Sequence, residues 1–128
     1  MDENNIRNEL NELYEDIKAY IEANFNNESI TIECNKEDKD IKFKHNGNTY
    51  NVTVTFNEKN GILLGKEINI FNEAKDKIMP QCYCIIPYNK DEKLKFYKLD
   101  EKCFAKDISE KHTCNNVMDQ LFRLIDNK

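Results

Sequence analysis

Apolar and polar residues alternate through the middle of the chain. In the clearest segment every second residue is apolar, and it reads Tyr50, Asn51, Val52, Thr53, Val54, Thr55, Phe56. Successive side chains of a strand point to opposite faces of a sheet, so this period predicts a strand with one apolar face and one solvated face. The preceding Asn46-Gly47 dipeptide is typical of a two-residue hairpin turn.

Other segments are predicted to be strands because they alternate in the same way or form a short, uniformly apolar run. They are residues 30–34, 41–45, 62–71, 82–88 and 94–99. In the segment 82–88 the residues of both faces are apolar, which is typical of a central strand covered on both faces. Pro87 is expected at the end of this strand, because proline cannot donate an amide hydrogen to the ladder.

Two features interrupt the pattern around the strand predicted at residues 62–71. Gly65 is expected to mark a bulge, since a glycine inside a strand weakens it. The residues assigned to one apolar face of this strand are Ile62, Leu64, Ile68 and Ile70. The following segment, residues 72–79, is expected to form one or two helical turns that end at Pro80.

The two ends of the chain have helical periodicity. Residues 4–24 have apolar side chains at steps of three and four, namely Ile6, Leu10, Leu13, Ile17, Tyr20 and Ile21. The pattern becomes helical again from Asp100, and residues 115–125 have a wide apolar stripe made of Val117, Met118, Leu121, Phe122, Leu124 and Ile125. Each of these segments is predicted to contain an amphipathic helix that buries its apolar side.

The predicted order of elements is a helix, six strands and a helix. Short turns between consecutive strands favour an antiparallel meander, and both helices must bury an apolar stripe. The chain, residues 1–128, is therefore predicted to be a single two-layer α+β domain. Its antiparallel sheet of about five to six strands would carry the N-terminal and C-terminal helices on one face. The opposite face is expected to carry Asn51, Thr53, Thr55, Glu67 and Asn69.

Net charge limits the classes of partner. The chain has a formal charge of −5 and a pI near 5.1, so no direct binding to nucleic acid or to an anionic membrane is expected. No apolar run approaches the length of a membrane span, and the acidic start Met1-Asp2-Glu3-Asn4 is unlike a secretory signal. A cytoplasmic location is therefore predicted. The 17 Lys and 19 Asn indicate a low-GC genome, such as that of a bacterium or a phage.

The candidate metal ligands lie in the second half of the chain and are Cys82, Cys84, Cys103, His112 and Cys114. Zinc takes four thiolate or imidazole ligands, so these residues would suffice in number. The spacing of Cys82 and Cys84 does not suit a compact site, because alternate residues of a strand stand about 6–7 Å apart. We therefore expect no metal and no other cofactor. The cysteines are expected to pack as small apolar side chains, with all five thiols free.

Two catalytic arrangements are alternatives to a binding role. A Cys114 nucleophile with His112 as its base lacks a third group to orient it. Acid-x-Lys triplets of the kind used by metal-dependent nucleases occur at, among others, Asp16/Lys18, Glu37/Lys39, Asp40/Lys42, Glu73/Lys75, Asp91/Lys93 and Asp100/Lys102. With no phosphate-binding or nucleophile motif, we expect no enzymatic activity. A small enzyme or nuclease-like domain with a Cys/His or acid-x-Lys metal site is the alternative.

We interpret the chain as a small acidic protein-binding module or inhibitor that occupies a basic surface of a partner protein. Opposite charge favours a nuclease or a nucleic-acid-guided effector as the partner, as for an immunity protein or a phage anti-defence protein. The residues expected to bind the partner are Glu12, Glu15 and Asp16 on the first helix and Asn51, Thr53 and Thr55 on the sheet. A structural or accessory subunit that self-associates, for example as a homodimer, is a further alternative.

Overall fold

The computed structural model describes residues 3–25, 32–35, 37–75, 77–89, 91–98, 104–106 and 114–126. These residues form α1 (Glu3–Phe25), β1 (Glu33–Asn35), β2 (Asp40–His45), β3 (Asn48–Lys59), β4 (Ile62–Ala74), β5 (Lys77–Pro87), β6 (Leu94–Lys98), β7 (Phe104–Lys106) and α2 (Cys114–Asp126). The strands form one sheet in chain order, and each is antiparallel to the next. α1 packs on β2 and β3, α2 packs on β5, and the helices contact each other. The predicted α+β fold with both helices on one sheet face is confirmed.

Tight turns connect the central strands and set their register. Asn46 and Gly47 link β2 to β3 with φ angles of 53° and 80°, and Asn60 and Gly61 link β3 to β4 with φ angles of 54° and 79°. Positive φ at both positions is the hairpin geometry that Asn-Gly favours, because glycine has no Cβ to clash with the backbone. The hairpin predicted at Asn46-Gly47 is confirmed.

A bulge in β4 explains the glycine at position 65. The register with β3 shifts between Asn57 and Glu58, which makes Leu64 the extra residue on β4. A Cβ atom at Gly65 would overlap the carbonyl oxygen of Ile86 in the neighbouring strand β5. The bulge predicted at Gly65 is therefore confirmed, and the missing side chain allows the two strands to lie close together.

The bulge also changes which apolar residues of β4 are buried. Ile68 and Ile70 are buried in the core, whereas Ile62 is 63% exposed and Leu64 is 42% exposed. The assignment of all four residues to one apolar face was therefore wrong. An extra residue breaks the period of two, and the hairpin tip beyond the bulge stands apart from the buried core.

The segment predicted to form helical turns, residues 72–79, is instead the hairpin between β4 and β5. Lys75 reverses the chain with a φ angle of 49°. A second register shift makes Gln81 the extra residue on β5, beside Pro80, and a bulge is one of the few places where a strand tolerates proline. Strand pairing satisfies the backbone groups of this segment, whereas a short isolated helix is marginal in water.

The described helices cover only one face of β5. Cys82 and Cys84 are buried under them, whereas Tyr83 and Ile85 point to the opposite face and are half-buried. Cover on both faces was expected for this strand, but no described element covers the second face; among the described residues that face is shielded by side chains of adjacent strands. Pro87 ends β5, as predicted.

The C-terminal part of the chain agrees with the prediction in its helix only. α2 includes the predicted residues 115–125, but residues 104–106 form β7, which pairs with β6 at the sheet edge. The helical pattern expected from Asp100 was therefore wrong at β7, because pairing with a neighbouring strand overrides a local pattern. Residues 26–31 and 107–113 lie outside the described residues, so what was predicted there stays a prediction.

The core lies between the helices and the covered face of the sheet. Its buried apolar residues are Leu13, Tyr14, Ile17, Tyr20, Ile21, Ile41, Phe43, Tyr50, Val52, Val54, Ile68, Ile70, Cys82, Cys84, Leu94, Phe96, Val117, Met118, Leu121 and Phe122. The Phe122 ring lies 4.8 Å from that of Phe25 and 5.8 Å from that of Phe43. The Tyr20 hydroxyl donates a hydrogen bond to Asp119 Oδ1 at 2.6 Å and so joins the two helices. Neither helix in the described part of the chain is long and apolar enough to span a membrane.

Candidate functional site

Two of the cysteines considered as metal ligands belong to the core. Cys82 and Cys84 are buried, and Cys82 Sγ donates a hydrogen bond to the carbonyl oxygen of Leu121 at 3.7 Å. Burial raises the pKa of Cys82 to about 12 and also raises the pKa of Cys84. Both thiols are therefore protonated at neutral pH and pack as small apolar side chains, as predicted.

The remaining candidate ligands are not among the described side chains. Cys103, His112 and the side chain of Cys114 lie outside the described residues. Among the side chains that are described, no group of three or more His, Cys, Asp or Glu could hold a metal ion. The expectation of no metal stays a prediction. The other histidine, His45, has its Nε2 atom 3.0 Å from Asp126 Oδ1.

The acid-x-Lys triplet Asp40/Lys42 lies within β2, and both side chains are on the sheet face turned away from the helices, which we call the open face. Lys42 Nζ lies 3.4 Å from Glu73 Oε1 of β4. Burial, and then the nearby charge of Asp38, raise the pKa of Asp40. A groove of about 580 Å³ at this edge of the sheet is lined by Glu33, Cys34, Asn35, Glu37, Asp40, Lys42 and Asn51. Among the described side chains here, no group of three or more His, Cys, Asp or Glu could hold a metal ion.

Acidic side chains form a row on the outer side of α1. Glu12, Glu15, Asp16 and Glu22 are exposed. Their separations of three, four and seven positions place them on one side of the helix, and we call these four residues the acidic stripe. A shallow groove of about 430 Å³ beside the stripe is lined by Asn8, Asn11, Glu12, Glu15 and Asp16.

The opposite side of α1 is anchored in the core. Leu13 is 7% exposed, and Ile17 and Ile21 are fully buried. The Tyr88 hydroxyl donates a hydrogen bond to Glu9 Oε2 at 2.7 Å, which joins the end of β5 to the first half of the helix. Burial and this hydrogen bond raise the pKa of Tyr88, so its hydroxyl stays protonated. The acidic stripe therefore stands on a helix whose position the core determines.

The open face carries the polar residues that the sequence predicted. Asn51, Thr53 and Thr55 of β3 lie beside Glu67 and Asn69 of β4 in the register of the sheet. Thr55 is exposed, whereas Asn51 and Thr53 are half-buried. Asn51 Oδ1 is buried with no hydrogen-bond partner among the described residues. Both described helices pack on the other face, so neither of them covers these residues.

The open face also has an apolar patch that sequence reasoning missed. The register of β4, β5 and β6 places on this face Phe71, Ile78, Tyr83, Ile85 and Tyr97, which we call the apolar patch. The rings of Tyr83 and Tyr97 stack with centroids 4.4 Å apart and 10° between their planes, and Ile78 is 64% exposed. The signal was present in the sequence, because the residues between the buried positions of β5 are themselves apolar.

The acidic stripe and the open face lie on opposite sides of the molecule, because α1 packs on the covered face of the sheet and turns the stripe outward. The predicted partner-binding residues therefore form two separate surfaces, one with Glu12, Glu15 and Asp16 and one with Asn51, Thr53 and Thr55. The stripe is anionic, whereas the open face is polar on one half and apolar on the other.

No model of a known protein family, no curated protein and no solved structure matches this chain.

Proposed function

We propose that this protein is a small acidic binding module that carries out no chemistry itself and occupies a basic surface of a partner protein with its acidic stripe. The supporting observation is that the stripe has four exposed carboxylates and that no ion pair among the described residues includes any of them. Lys42 and Glu73 form an ion pair among the described residues, and the His45 imidazole lies against Asp126, but neither contact involves the stripe.

Such an arrangement is unfavourable in the isolated protein. Like charges three or four positions apart on a helix destabilise it by about 0.2–0.5 kcal/mol per pair. Glu12 stands in this relation to both Glu15 and Asp16. A basic surface placed against the stripe would remove this repulsion and add attraction, and it would also raise the rate of encounter. The stripe is therefore better suited to a complex than to the free protein.

The class of partner follows from the same chemistry. Nucleases and nucleic-acid-guided effectors carry basic clefts, because they hold a phosphate backbone with lysine and arginine. A chain of net charge −5 that presents carboxylates on an anchored helix suits a protein that blocks such a cleft. This mode of action is that of an immunity protein or a phage anti-defence protein. It needs no direct contact with nucleic acid.

Reversal of charge at two different places tests the proposal. The stripe variant combines Glu12→Lys, Glu15→Lys and Asp16→Lys. The control variant reverses three exposed acids elsewhere, namely Glu33→Lys, Glu37→Lys and Glu58→Lys. Both variants have the same net charge, so a difference between them reports the position of the charges and not their total. Circular dichroism checks that both variants keep the fold.

The partner is captured from a lysate, identified by mass spectrometry and purified, and association rates are then measured at low and high salt. At low salt we expect the stripe variant to associate at least about tenfold more slowly than the wild type, and the control variant within about twofold of it. Salt should reduce the difference. Equal effects of the two variants would refute the assignment to the stripe, as would loss of binding only with bulky residues at Thr53 and Thr55. Turnover of a substrate by the isolated protein would refute the absence of chemistry.

A further inference from the structure

The apolar patch lies on a surface that the acidic stripe does not use. Tyr83 pairs with Tyr97 across β5 and β6, and Ile85 follows on the same face of β5. Phe71 lies on the neighbouring strand β4. Ile78 is exposed and the other four residues of the patch are half-buried, and a contiguous apolar group on a surface is typical of interaction sites.

From β2 to β6 the open face is electrically balanced, with Glu33 of the edge strand β1 as one further acid, although the chain as a whole is acidic. On β2 to β6, away from the hairpin tips, its ionisable residues are Asp40, Glu67, Glu73, Lys42, Lys44 and Lys95. Acids and bases are equal in number, whereas the net charge of the chain is −5. Two copies of an acidic protein repel each other least when they approach through neutral surfaces, whereas a basic partner is attracted to the stripe.

The open face is large enough for a stable contact between two copies. Five strands spaced about 4.8 Å apart are about 24 Å wide, and seven residues of strand are about 23 Å long, so the face offers roughly 550 Å² in projection. The accessible surface of a face is larger than its projection, because side chains stand out from the sheet. A standard interface buries about 800 Å² of accessible surface per partner.

We propose that two copies of this chain associate through their open faces, related by a two-fold axis that runs between the faces and across the strands. This axis places the apolar patch of one copy against the apolar patch of the other. The two sheets pack face to face about 10 Å apart, as in a β-sandwich. Such a contact is self-complementary and closes at two copies. Both acidic stripes stay on the outside of the dimer, where each remains accessible to a basic partner.

Sedimentation equilibrium over a range of concentrations tests the dimer, and the expected limit at high concentration is twice the 15.2 kDa mass of one chain. Ile78→Glu places a charge in the apolar patch, and Ile62→Glu is its matched control. Ile78 is 64% exposed and Ile62 is 63% exposed, so neither change removes a buried side chain. We expect Ile78→Glu to weaken association at least about tenfold, which corresponds to about 1.4 kcal/mol. Ile62→Glu, at the other hairpin tip, should leave association unchanged.

Thr55→Arg is a second variant of the open face at an exposed position, and it should also weaken the dimer. A single species of 15.2 kDa at all concentrations up to about 1 mM would overturn the proposal. Equal effects of Ile78→Glu and Ile62→Glu would overturn it as well. If the protein is monomeric and Ile78→Glu and Thr55→Arg instead weaken binding to the basic partner, the open face belongs to that partner. None of these variants changes the acidic stripe, so failure of the dimer leaves the test of the proposed function intact.

Discussion

Replacing Gly65 with alanine is expected to destabilise the protein because β4 and β5 lie too close together for a side chain at this position. The added Cβ would overlap the carbonyl oxygen of Ile86 and would lie 3.0 Å from both Ile86 C and Pro87 Cα. All three are backbone atoms, so no change of rotamer can relieve the clash, and the two strands must move apart. The hydrogen bond from the Tyr88 amide to the carbonyl oxygen of Leu64, 2.9 Å long, lies next to this contact and is expected to break.

The magnitude follows from three contributions. Overpacking a tight site costs about 1–3 kcal/mol, and the lost hydrogen bond costs about 1 kcal/mol. Alanine offsets about 0.4–1 kcal/mol of this by restricting the unfolded chain. The net expectation is a loss of about 2 kcal/mol in the free energy of unfolding, measured by urea denaturation. For a domain of this size the melting temperature should fall by roughly 6–10 °C.

Gly61→Ala is the matched control, because it adds the same methyl group without a clash. Gly61 has a φ angle of +79° and no atom within 4 Å of an added Cβ. Its cost should therefore be conformational only, about 1 kcal/mol. Hydrogen exchange separates the two effects, since the Tyr88 amide should lose protection in Gly65→Ala and keep it in Gly61→Ala. A Gly65→Ala protein within about 0.5 kcal/mol of the wild type, or with a protected Tyr88 amide, would refute the close approach of β4 and β5.

Three further predictions concern single side chains. Tyr20→Phe should lower the free energy of unfolding by about 1–2 kcal/mol in urea denaturation, because Asp119 loses the hydroxyl donor that lies 2.6 Å from its Oδ1 atom. An unchanged free energy of unfolding would contradict this contact. Cys34 is exposed, so Cys34→Ser should remove one thiol that reacts rapidly with a disulfide reagent in the native state. Cys82 is buried, so Cys82→Ala should leave the number of rapidly reacting thiols unchanged. Asp40→Asn should raise stability at neutral pH, because burial raises the pKa of Asp40 and the folded state therefore holds its proton more tightly than the unfolded state. That gain should disappear as the pH falls below the ordinary carboxyl pKa of 3.8, where both states are protonated, and denaturation at several pH values would show it.

The period of apolar residues determined the helices, most of the strands and the buried side of each. Ile17 of α1 is fully buried and Val52 of β3 is 1% exposed, and each occupies the apolar position that its local period assigned. Asn46-Gly47 specified a hairpin, and Gly65 specified a bulge. These features depend on a few neighbouring residues, so local sequence is sufficient to specify them.

The tertiary structure alone decided which segments pair and which side chains meet. Residues 72–79 have a local pattern that suits a helical turn, but the backbone of β4 and β5 is satisfied by pairing along the sheet. The apolar patch forms because three strands bring Phe71, Tyr83 and Tyr97 to one face, although these residues are far apart in the chain. The absence of an ion pair to the acidic stripe among the described residues, and the balance of charge on the open face from β2 to β6, likewise depend on every element that packs nearby. Such neighbours are set by non-local pairing and packing, and a period read along the chain does not contain them.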